Sequence, residues 1–115
     1  MIKVRKDKED YLVSLYQVDK INTLFTDRLG DQLKELVEEK DVKIYFDLSK
    51  IRFIDSSGFA MLKRIHRIAD ENSSEFILCN VREEVEELFK LLELQDYFIN
   101  CKRKIDREVI LIEVE

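Results

Sequence analysis

The sequence predicts an α/β domain: a mostly parallel sheet of four or five strands with three main helices. Short apolar segments of strand length alternate with segments whose apolar residues repeat at helical spacing. Strands separated by helices favour right-handed crossovers and therefore parallel pairing. The length, 115 residues, fits one domain over 1–115 built on one core. It is too short for a two-halved dinucleotide fold.

The elements follow in order. Ile2–Lys6 reads as a short strand that pairs with the next across Asp7-Lys8-Glu9-Asp10. Tyr11–Val18 alternates, with Tyr11, Val13 and Leu15 on one face, and reads as a strand. Asn22-Thr23 is a capping sequence. Phe25, Leu29, Leu33, Leu36 and Val37 then form a helical stripe that ends near Glu39. Lys43–Leu48 is apolar on both faces, which predicts a central strand covered on both sides. Ser49–Ile54 is a connection. Helical spacing resumes after Gly58 with Phe59, Leu62, Ile65 and Ala69, and Asp70–Ser74 is a polar break. Phe76–Cys79 reads as a buried strand, and Val81, Val85, Leu88, Phe89 and Leu92 as an amphipathic helix. Tyr97–Cys101 reads as a short strand. Val109–Val114 alternates, is rich in β-branched residues and reads as an extra C-terminal edge strand. Such an edge would offer a second copy of the chain a pairing surface, hence a homodimer. Phe46, Leu48, Ile54, Leu62, Ile65, Ile77, Val85, Leu88 and Phe89 are the predicted interior.

Composition narrows the function. Hydrophobic residues at 45% argue against disorder, and 20 basic against 25 acidic residues leave a net charge of −5. That balance gives no general attraction to nucleic acid or anionic lipid. Lys102-Arg103-Lys104, the densest basic run, reads as a solvated turn. No stretch reaches the ~20 apolar residues of a membrane span. Met1 to Lys6 runs straight into charges and lacks a signal-peptide core, so the expected compartment is the cytoplasm. Cys79 and Cys101 have no CxxC spacing and read as reduced thiols. With His66 the only histidine, no metal site or cofactor is expected.

Nor does an enzyme suggest itself. A nucleophilic serine needs a base, and Gly-x-Ser-x-Gly is absent. His66 falls ten residues after Ser56, roughly 15 Å along a helix. No glycine-rich phosphate loop is present. The pairs Glu83-Glu84 and Glu86-Glu87 read as a solvated helix face. There is no proline, and Gly30 and Gly58 are the only glycines. Gly30 reads as merely tolerated inside a helix, at about 1 kcal/mol against alanine.

The informative segment is Asp55-Ser56-Ser57-Gly58, between a buried strand region and a helix. Open α/β sheets bind ligands at loops leaving strand ends, and a helix N-terminus offers free N–H donors. The plain reading is that Asp55 or Ser56 caps the helix and Gly58 permits close packing. The functional reading is that Ser56 is an exposed hydroxyl presented to a kinase, with Ser57 as second choice. Phe59 reads either as an exposed apolar contact beside that serine or as a core residue.

Ile44-Tyr45-Phe46-Asp47-Leu48-Ser49, followed by Ile51-Arg52-Phe53-Ile54-Asp55-Ser56-Ser57-Gly58, resembles the signature of STAS domains. In that family a strand ending in Asp-Leu-Ser leads to an Asp-Ser-Ser/Thr/Ala-Gly turn that opens a helix. The resemblance spans roughly 10–101 and is most specific over 46–58; residues 103–115 extend past it. It implies an anti-sigma factor antagonist that binds an anti-sigma factor serine kinase in a partner-switching pathway. It also implies release by phosphorylation of the first serine, here Ser56, and restoration by a serine phosphatase. The implied partner surface is Asp55, Ser56, Ser57, Gly58, Phe59 and Asn22. Two departures stand out: Gly58-Phe59-Ala60 where the family often has Gly-Leu-Gly, and Asp19 and Asn22 near positions usually held by Gly and Asp. The alternative is an accessory STAS subunit, of a stress-sensing scaffold or a lipid-transport complex, without a phosphorylation cycle.

Overall fold

β1 (Ile2–Asp7) and β2 (Asp10–Leu15) form an antiparallel hairpin closed by Lys8-Glu9, with Lys8 in the left-handed region at φ 59°. The computed structural model describes residues 2–94 and Tyr97. β4 (Lys43–Asp47) adds parallel to β2, and β6 (Glu75–Cys79) parallel to β4, giving the order β1-β2-β4-β6. The expected mostly parallel sheet with three helices is therefore what forms. Lys43–Leu48 is central as predicted: Ile44, Tyr45, Phe46 and Asp47 are all buried, whichever face they point to.

α1 (Thr26–Val37) connects β2 to β4, and α2 (Ser56–Glu71) connects β4 to β6. Both crossovers step the same way across the sheet, so right-handed connections place both helices on one face. α1 meets β4, α2 meets β6, and the two helices meet each other. Leu29, Leu33, Leu62 and Ile65 are the buried stripes. α3 (Glu83–Leu91) packs beside β5 (Phe53–Ile54) and buries Val85 and Phe89. All the predicted interior residues are buried except Leu88, which is partly buried against the core.

Periodicity left a second, two-stranded sheet unseen. β3 (Lys20–Ile21) pairs parallel with β5, Lys20 opposite Phe53 and Ile21 opposite Ile54. Two-residue strands carry no period for a sequence pattern to show. The predicted strand Tyr11–Val18 stops at Leu15, because Gln17 at φ 62° turns the chain out of the sheet. Asp41, Ser73, Asn80 and Glu93 also take positive φ, whereas neither glycine does. The turns that proline and glycine usually mark are made here by polar residues bearing local strain. Tyr97 lies in a turn. The remainder of the predicted strand at 97–101, the basic run at 102–104, Cys101, and the edge strand at 109–114 with its homodimer lie outside the described residues.

The glycines serve close approach instead. A Cβ on Gly58 would stand 2.6 Å from Ile54 Cγ2 and 3.0 Å from both Cγ2 and the carbonyl oxygen of Ile21. The first turn of α2 is thus pressed against β3 and β5. A Cβ on Gly30 would meet Arg64 Nη2 at 2.6 Å and Met61 Cγ at 3.1 Å. Gly30 therefore lies at the α1–α2 contact, where sequence alone suggested only a tolerated residue.

Candidate functional site

The β3–β5 sheet delivers two loops to one place. Asp55 N–H donates to Ile21 O (3.0 Å), so the residue after β5 is pinned to β3, and the chain then turns into α2. Asp55 is the helix N-cap: its Oδ1 accepts from Gly58 N–H at 2.9 Å and from the Ser57 hydroxyl at 2.6 Å. Its other oxygen reaches across to the β3–α1 loop and accepts from Thr23 N–H (3.1 Å) and Thr23 Oγ1 (3.2 Å). Thr23 Oγ1 also lies 3.3 Å from Ser57 Oγ. Asp55, Ser57 and Thr23 make a closed polar knot joining the starts of two helices. The Ser57 hydroxyl holds the Asp55 carboxyl below the usual carboxylate range; burial opposes this, and the Gly58 and Thr23 donors add to it.

Of the two readings of the cap, Asp55 is the residue that does it, and Ser56 is the first helical residue. Ser56 is exposed, and its hydroxyl makes no hydrogen bond to a described residue. Ser57 is half-buried and committed to Asp55. Asn22 does not cap α1, whose N-cap position is Phe25 with no side-chain cap. Instead Asn22 Oδ1 accepts from Leu24 N–H (3.0 Å), and its carbonyl accepts from Phe25 and Thr26 N–H (both 3.1 Å). This local turn holds Thr23 against Asp55.

The structure thus gathers Asn22, Asp55, Ser56, Ser57 and Gly58. Phe59 is apart from them: it is 4% exposed and sits edge-on to Phe89 with ring centroids 5.0 Å apart. Its core alternative holds, and the reading of Phe59 as an exposed contact is corrected, because the helix turns position 59 inward toward α3. Two residues of the site were missed. Thr23 was read only as part of a cap for α1. Leu24, next to it, is 91% exposed; an apolar residue between Thr23 and Phe25, off the helical stripe, was the available signal. His66 lies further along α2, partly exposed, 3.7 Å from Asp70 and with its ring tilted 51° to that of Tyr97.

The model of the STAS domain matches residues 7–109, and the chain belongs to that family. Among solved structures it resembles the anti-sigma factor antagonist SpoIIAA in its unphosphorylated form, at 16% identity and TM-score 0.74, covering 99% of this chain and 95% of that one. The Bacillus cell fate determinant SpoIIAA in the phosphorylated form matches at 14% identity and TM-score 0.69, with 100% of both chains covered. A sulfate transporter family protein from Wolinella succinogenes matches at 9% identity and TM-score 0.68, covering 94% and 85%. These likenesses are likenesses of fold. No helix among the described residues is long and apolar enough to cross a membrane.

Proposed function

We propose that this chain is an anti-sigma factor antagonist. It binds an anti-sigma factor that is also a serine kinase, and phosphorylation of Ser56 ends the complex. A serine phosphatase restores it, and the cycle runs in the cytoplasm as a control on transcription. The observation that carries this reading is the contrast between the two serines. Ser56 is exposed with a free hydroxyl, whereas Ser57 donates at 2.6 Å to the carboxylate that caps the helix. A kinase can take Ser56 without dismantling anything.

The chemistry supports a switch acting at the surface. A phosphate adds about −1.5 to −2 charges. The N-terminus of α2 stabilises that charge through its free N–H groups and dipole, so the fold need not change. Asp55 is already ionised beside it, so the patch becomes strongly negative. Leu24, exposed on the adjoining loop, and Asn22 complete the face that a partner would cover. The Asp55 carboxylate beside Ser56 is committed to Gly58, Ser57 and Thr23, and the role we read here is one of binding.

The test is partner binding by Ser56→Ala and Ser56→Asp, measured alongside phosphopeptide mass spectrometry of the protein from its own cells. The reading expects phosphate on Ser56, binding kept by Ser56→Ala and lost by Ser56→Asp. A stable complex indifferent to charge at Ser56, with the serine unmodified in every condition, would make the chain an accessory STAS subunit instead.

A further inference from the structure

A cavity of about 700 Å³ opens beside the carboxyl ends of β2 and β4 and shares no lining residue with the serine turn. Its volume is within the range of small-molecule sites, roughly 300–1,000 Å³. Strand register builds it. Lys3 lies opposite Ser14 across the hairpin, and Ser14 lies opposite Asp47 across the parallel pair, so one polar row crosses three strands. Arg5 lies two residues from Lys3 on the same face of β1. Ser49 and Lys50, on the loop leaving β4, close the rim. The carboxyl ends of parallel strands are where open α/β sheets hold ligands.

The lining charge runs against the molecule as a whole. Lys3, Arg5 and Lys50 face one acid, Asp47, in a chain of net charge −5. Lys3 and Lys50 make no ion pair with a described residue. Asp47 is only 6% exposed. Its Oδ1 accepts from Ser49 N–H (2.9 Å) and Asn80 Nδ2 (3.3 Å), while Oδ2 accepts from no described residue. A carboxylate oxygen without a protein partner among the described residues, open to the cavity that Lys3 and Lys50 also line, sets two demands on a ligand. It must carry an anion for the lysines, which bind phosphate as point charges. It must also bring a hydrogen-bond donor for Asp47, since an anion alone would meet repulsion there.

We infer that this cavity binds a sugar phosphate: the phosphate between Lys3, Lys50 and the hydroxyls of Ser14 and Ser49, and a sugar hydroxyl donating to Asp47. The site is separate from Ser56 and stands or falls independently of the proposed partner switch.

The experiment is a titration of the ¹⁵N-labelled chain, followed by amide chemical shifts, with ribose 5-phosphate, ribose and inorganic phosphate as probes. Saturable shifts at Ser14, Asp47, Ser49 and Lys50 are expected with ribose 5-phosphate, none with ribose, and weaker binding of inorganic phosphate. The double variant Lys3→Gln/Lys50→Gln, changed only at exposed side chains, should weaken binding by roughly tenfold or more. Several results overturn the inference: no saturation below about 10 mM, shifts confined to Ser56–Phe59, inorganic phosphate binding as tightly as the sugar phosphate, or an unaltered double variant.

Discussion

Replacing Asp55 by alanine removes one carboxylate that holds two helix starts together. It caps α2 through Gly58 N–H, accepts the Ser57 hydroxyl, and takes both Thr23 donors. Loss of an N-cap costs about 1 kcal/mol. Hydrogen bonds to a charged group are worth roughly 1.5–3 kcal/mol when buried, and the exposed Thr23 pair belongs well below that. A total of about 2–3 kcal/mol follows, or a fall in Tm of about 10 °C for a domain of this size. Asp55→Asn separates the parts: asparagine caps as well as aspartate, but its amide NH₂ would face the Thr23 N–H donor, so about 1–2 kcal/mol should go. The pH dependence gives a second readout. The folded pKa of Asp55 lies below its unfolded value. Its ionisation therefore stabilises the fold above the unfolded pKa, about 3.9, and this is lost as pH falls through the folded pKa. Urea unfolding followed by circular dichroism should show a constant gap between wild type and Asp55→Asn from pH 5 to 8. The gap should close as pH drops below about 4. An Asp55→Ala protein within about 0.5 kcal/mol of wild type, or a gap unchanged in acid, would refute the knot.

Two further outcomes use the same unfolding assay. Gly58→Ala should destabilise by up to about 2 kcal/mol, because overpacking against Ile54 and the Ile21 backbone costs about 1–3 kcal/mol and outweighs the helix-propensity gain of about 1 kcal/mol. Gly30→Ala meets the flexible end of Arg64 and, at 3.1 Å, the Cγ of Met61, so it should be close to neutral. Ser57→Ala should cost about 1 kcal/mol and bring the Asp55 pKa back up, read by ¹³C carboxyl titration. Ser56→Ala, which removes no hydrogen bond to a described residue, should stay within about 0.5 kcal/mol of wild type.

The order of the main elements and the core could be read from the chain because burial imposes a period. Lys43–Asp47, Phe76–Cys79 and the stripes of the three helices each place apolar residues at the spacing their geometry requires. The Asp-Ser-Ser-Gly turn was equally legible, since residue types that cap helices stand where a strand region gives way to a helix. The cap itself remained divided between Asp55 and Ser56, and Phe59 between surface and core, because a one-residue shift along a helix turns a side chain by about 100°.

Other features depend on contacts between distant segments, which leave no local pattern. Ile21 and Ile54 pair although each strand is only two residues long. Thr23 finds Asp55 across 32 positions. That contact closes the knot around Ser57, whose own bond to Asp55 is local, at 2.6 Å. Lys3, Ser14 and Asp47 fall into one row only through the register of three strands. Sequence determined which segments could be strands and helices, because periodicity is local. The tertiary structure decided which loop closes on Asp55 and which charges face a common cavity, because those depend on where separate segments meet.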